Sequence, residues 1–99
     1  MRLYSIEQKL LAVMISETDY KRLCWASRRG MLELDLILVP FIENRFLEIS
    51  EQDQQRYIQL MEGEDNDMFG WLLGRGRPDD PELAIIVDMI IDHARQPKA

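Results

Sequence analysis

The chain has 99 residues, room for one domain with a single core, and its 46% apolar fraction sets it apart from disordered chains. Twelve basic against eighteen acidic residues leave a formal charge of −6, which argues against nonspecific nucleic-acid binding and against adhesion to an anionic membrane surface. One cysteine and one histidine allow neither an internal disulfide nor a Cys/His zinc site, and they fit a reducing, cytoplasm-like compartment.

Residues 1–16 are expected to form an N-terminal extension, with a short helix opened by Ser5 and Gln8. A basic residue ahead of Leu10–Ile15 hints at a secretory leader, but Glu7 and Lys9 interrupt it and no A-x-A site follows. No uninterrupted apolar run approaches the ~20 residues that cross a bilayer.

Residues 17–95 read as a helical domain and 96–99 as a tail. Thr18 can cap a first helix through Tyr20, Leu23, Cys24 and Ser27, with Gly30 placed to end it. Met31, Leu34, Leu38, Phe41, Ile42 and Phe46 recur at steps of three and four, which predicts a second helix from Met31 to Leu47, kinked at Pro40. Ser50 and Asp53 resemble a capping box opening a third helix, closed by Gly63. Asp65 or Asn66 can cap a fourth, ending at Gly74 or Gly76, and its Phe69, Trp71, Leu72 and Leu73 read as core. Asp80, followed by Pro81, opens a last helix whose Leu83, Ile86, Val87, Ile90, Ile91 and Ala94 make one apolar face. No strand alternation of useful length and no hairpin signal appears. The expectation is an all-α, compact five-helix bundle in a single domain.

Candidate catalytic groups are few. His93, in the last turn of the last helix, reads as a complement to the helix dipole. Cys24, among apolar neighbours, reads as a small core residue. Glu33 and Asp35 are two apart and project about 200° from each other on a helix, so they do not form a carboxylate dyad. "GRGRPDD" lacks the third glycine, preceding strand and lysine of a phosphate loop and reads as a helix end followed by a turn. The acids from Glu62 to Asp67 lack the spacing of a calcium loop. The chain therefore reads as a non-enzyme, without a tightly bound cofactor or metal.

The remaining feature is "WASRRGMLELDLILVPF", residues 25–41. Arg29 and Glu33 are four apart, neighbours on one face if both are helical, where they would form an exposed ion pair. Trp25, beside this charged junction, reads as core, with a contact surface as the alternative. The stretch resembles the small bacterial succinate dehydrogenase assembly factors, related to the mitochondrial factor that promotes flavinylation. Their RGxxE motif is matched by Arg29, Gly30 and Glu33, with the tryptophan before it and the ELD and proline–aromatic pair after it. "DNDMFGWLLGRGRPDDPEL" is similar to the family's second block. Ser27 stands where the family often has a cysteine.

The resemblance implies a five-helix fold. It also implies binding to the flavoprotein subunit of succinate dehydrogenase, or of fumarate reductase, while FAD becomes covalently attached to a histidine of that partner. Arg29, Gly30 and Glu33 would then carry partner binding, extended by Arg28 and Arg22 and by apolar contact from Trp25 and Met31. The protein is expected to act as a monomer, without nucleic acid or membrane insertion. Members of the family have also been described as antitoxins that counter a membrane-associated toxin, which stands as the alternative.

Overall fold

The computed structural model describes residues 15–96. Five α-helices follow one another: α1 (Glu17–Ala26), α2 (Leu32–Asn44), α3 (Glu51–Met61), α4 (Asp65–Leu72) and α5 (Pro81–Arg95), with a 3₁₀ turn at Phe46–Glu48. Among the described residues there is no strand. The helix expected at Ser5 lies outside the described residues.

Three helices open on a side chain that accepts an otherwise orphaned N–H. Ser16 Oγ accepts from the Asp19 amide at 3.0 Å, Ser50 Oγ from Asp53 at 3.1 Å and Asp80 Oδ1 from Glu82 at 2.9 Å. The cap of α1 is thus Ser16 and not Thr18, because Ser16 holds the extended backbone a cap requires (φ −74°, ψ 157°). Asp65 and Asn66 do not cap α4 either. Glu64 occupies the cap position without a side-chain bond, and the Asp65 carboxylate is engaged elsewhere.

The second helix is shorter than its periodicity suggests. Met31 is its extended N-cap, and at Arg45 the backbone leaves the helix before the 3₁₀ turn buries Phe46. Helical geometry continues through Pro40, whose missing N–H leaves the Leu36 carbonyl without its usual helical donor.

The core gathers Leu34, Leu38, Phe41 and Ile42 of α2, Tyr57 and Leu60 of α3, Met68 of α4, and Ile86, Val87 and Ile90 of α5. Tyr57 lies between Phe41 and Phe46, with ring centroids 5.6 and 5.4 Å away, a spacing that aromatic pairs favour. The pairing of α3 with α5 is the most extensive and α2 packs across α5. Within the fourth helix only Met68 and Leu72 are fully enclosed. Phe69 and Trp71 are half-buried at the core's edge, and Arg75 stacks over the Phe69 ring at 5.5 Å. On α5, Leu83 and Ile91 are half-buried and Ala94 is exposed, so the burying face ends a turn earlier than its sequence stripe.

Candidate partner-binding site

The α1–α2 junction is built from below by two hydroxyls. Ser27, fully buried, ends α1 with its Oγ donating to the Leu23 carbonyl at 2.8 Å. Its Oγ also lies 2.7 Å from Tyr57 Oη. A hydroxyl has one proton to give, so Tyr57 is the donor of that second bond. Burial, the larger influence, pushes the Tyr57 phenol up from its ordinary pKa, against the pull of the Ser27 bond.

Above Ser27 the chain turns through Arg28, Arg29 and Gly30. Gly30 has φ +80°, the left-handed region that costs other residues about 1–2 kcal/mol. A Cβ built there meets nothing within 4 Å. The glycine is therefore required by the backbone path, and the space over it is open.

Arg29 does not pair with Glu33. It precedes the first residue of α2, so the four-residue helical spacing does not apply, and its side chain turns inward to 15% exposure. Nε donates to Asp65 Oδ1 at 2.7 Å, Nη1 to the Ala26 and Met61 carbonyls at 2.9 and 3.0 Å, and Nη2 to the Gly63 carbonyl at 3.1 Å. The Arg29 main-chain N–H donates to Asp35 Oδ1 at 2.8 Å. One residue thus ties together the end of α1, the end of α3 and the start of α4. Four of its five guanidinium N–H groups are committed within the chain.

What the junction shows to solvent is different. Trp25, in the last turn of α1, is 80% exposed, which corrects its reading as core. Leu32 and Leu36, one helical turn apart on α2, are 70% and 65% exposed. Glu33 lies between them in sequence, exposed and without a hydrogen-bond or ion-pair partner among the described residues. Arg28 is exposed and meets Glu43 at 4.0 Å, and Arg22 meets Asp19 at 4.0 Å, separations at which exposed pairs contribute little. Arg22 also stands on the rim of a groove of about 470 Å³ between α1 and α3. Met31 is half-buried and packs against the core. Asp35 and Glu33 face different surroundings, as their spacing requires.

Sequence reasoning missed Leu32, Leu36 and Asp65. The two leucines lie out of phase with the buried Leu34 and Leu38, a second stripe readable in "LELDLIL". Asp65 is 36 residues from Arg29, and no local pattern marks it.

The other candidates have structural roles. Cys24 is half-buried against the core, and burial raises its thiol pKa, so the reactive thiolate is disfavoured. His93 meets Phe41 edge-on at 5.5 Å in the last turn of α5. In "GRGRPDD", Gly74 takes φ +78°, Arg77 makes two bonds to Asp88 at 2.7 and 3.0 Å, and Pro78 is buried. No group of three His, Cys, Asp or Glu placed to hold a metal occurs among the described residues. No helix among them is long and apolar enough to cross a membrane.

The five-helix domain thus leaves Trp25, Leu32 and Leu36 exposed on the two helices that flank a turn held from beneath. Residues 21–94 match the family model described as the flavinator of succinate dehydrogenase, and the chain belongs to that family. It is 50% identical over 82 residues to the FAD assembly factor SdhE of Pseudomonas aeruginosa, covering 83% of this chain and 98% of that one. It is 47% identical over 85 residues to the FAD assembly factor SdhE of Pseudomonas putida, covering 86% and 100%. The solution structure of a UPF0350 protein aligns with TM-score 0.65 and 41% identity over 80% of this chain and 85% of that one.

Proposed function

We propose that this protein is an assembly factor that promotes covalent FAD attachment to the flavoprotein subunit of succinate dehydrogenase, and that it does so by docking its α1–α2 junction on that subunit. Membership of the flavinator family and the FAD assembly factors at 50% and 47% identity support the activity. One observation supports the surface: Trp25, Leu32, Glu33 and Leu36 are displayed to solvent around a turn whose own arginine is held from beneath.

The division of labour follows from the side chains. Trp25 and the two leucines supply the apolar contact from which interfaces draw most of their energy. Glu33 brings an unpaired carboxylate in the first turn of α2, where the helix dipole favours its charge. Gly30 lets a partner's backbone approach closely, and Arg22 and Arg28 border the surface with weakly held positive charge. Arg29 and Met31 take part mainly by holding the turn, since both are engaged with the domain itself.

Bond formation then belongs to the client, whose own histidine attacks the flavin, and this chain acts without a catalytic group or a cofactor of its own. A factor that binds the attachment-competent client conformation about 100-fold better than the rest, ~2.7 kcal/mol, would raise that state from about 1% to about half of the population. Fumarate reductase's flavoprotein is a second client of the same chemistry. The working form is a monomer in the bacterial cytoplasm.

The test uses purified apo-flavoprotein and free FAD with and without this protein, followed by flavin fluorescence that survives denaturation. Covalent flavin should accumulate faster with the factor, and equal rates would reject the activity. The antitoxin reading gains no support from the relatives and would predict equal rates.

A further inference from the structure

Asp65 begins α4, far from the junction in sequence, yet it is the one carboxylate among the described residues that pairs with the Arg29 guanidinium. The pair is short, 2.7 Å, with the arginine 15% and the aspartate 40% exposed. The other acceptors of the guanidinium are carbonyls at helix ends: Ala26 closes α1, Met61 closes α3 and Gly63 lies just beyond it. Such carbonyls lack intrahelical donors, so the guanidinium satisfies groups that would otherwise stay unpaired. These carbonyls are neutral, however, and leave Nε and the positive charge itself without a partner. The Asp65 carboxylate satisfies Nε with a charge-assisted bond and supplies the counter-charge for a cation that is mostly out of water.

We propose that Asp65 is a positioning residue for client binding: by gripping Arg29 Nε it holds the 27–31 turn that joins α1, which carries the exposed Trp25, to α2, which carries the exposed Glu33. The Asp35 carboxylate holds the same turn by its backbone at 2.8 Å. The two acids thus hold Arg29 at two points, Asp35 through the main chain and Asp65 through the side chain. This inference rests on the docking surface proposed above.

Asp65→Asn in the full chain is the deciding variant, because it preserves shape and removes only charge. Flavinylation of the apo-flavoprotein is measured against factor concentration, with helicity and the melting transition followed in parallel. The half-saturating concentration should rise more than threefold, while the rate at saturation stays within twofold of the unmodified protein. Asp65→Glu, which keeps the charge, should recover at least half of that rise. A shift of threefold or less in Asp65→Asn, no recovery in Asp65→Glu, or loss of cooperative melting in Asp65→Asn would each overturn the assignment. Trp25→Ala and Glu33→Ala in the same assay separate the two ideas. If they bind the client like the unmodified protein, the docking surface is wrong. If they weaken binding and Asp65→Asn does not, only the role of Asp65 falls.

Discussion

Ser27 Oγ and Tyr57 Oη meet 2.7 Å apart at the buried start of the α1–α2 turn, so a hydroxyl pair underlies the proposed docking surface. The pair is asymmetric. Removing the Tyr57 hydroxyl leaves Ser27 still donating to Leu23, whereas removing the Ser27 hydroxyl strands the Tyr57 proton in the core. Tyr57→Phe should therefore cost about 1 kcal/mol and Ser27→Ala about 2–3 kcal/mol, with the double variant less destabilised than the sum. Urea midpoints for the three proteins check the order, and strict additivity would contradict it.

The same phenol makes a prediction about pH. Burial raises Tyr57 above its ordinary value, and burial is also the main reason Tyr20 is raised, with Cys24 and Glu43 adding to it. A group whose folded pKa is raised favours folding fully below its unfolded value of about 10 and loses that contribution as pH climbs beyond it. Stability should ease above about pH 8.5, where the half-buried Cys24 thiol begins to count, and fall more steeply above about pH 10, with phenolate absorbance appearing as the fold is lost. Tyr57→Phe should shallow that fall. Ionisation of both phenols in a still-folded domain would contradict the account.

Gly30 separates a conformational demand from a steric one. The added Cβ of Gly30→Ala has room, so its cost comes from φ +80° alone, about 1–2 kcal/mol or roughly 4–8 °C in melting temperature per kcal/mol. Gly30→Asn should be milder, because asparagine visits the left-handed region more readily. Equal destabilisation by both, read from thermal melts, would point to a clash.

The elements that local chemistry determines could be read from the chain alone. Asp80–Pro81 opens α5, and Ile86, Val87 and Ile90 bury its face, because a cap and a helical stripe act within a few residues. What escaped depends on distance or on competition. Ser16 and Thr18 are both sound caps, and only the backbone entering α1 decides between them. Trp25 looked like core because large aromatics bury well, but α1 turns it outward. The inward turn of Arg29 depends on carbonyls and a carboxylate contributed by α3 and α4, more than thirty residues away, which no local pattern in "RRGMLELD" reveals.

The exposed leucines offer an independent check on the surface. Leu36→Ser replaces a 65% exposed apolar side chain and should change stability by less than ~0.5 kcal/mol, while weakening capture of the apo-flavoprotein about tenfold, or ~1.4 kcal/mol. Titration by fluorescence anisotropy measures the second quantity. Unchanged capture would remove α2's outer stripe from the interface.

The proposed function requires the face around Glu33 to act on another protein. Glu33→Ala removes an exposed carboxylate that makes no hydrogen bond or ion pair among the described residues, so helicity and melting should match the unmodified protein. The decisive measurement is the rate of covalent flavin incorporation into apo-flavoprotein with this variant in place of the unmodified factor. A rate lowered at least tenfold with the fold intact is the predicted result, and an undiminished rate would contradict the account.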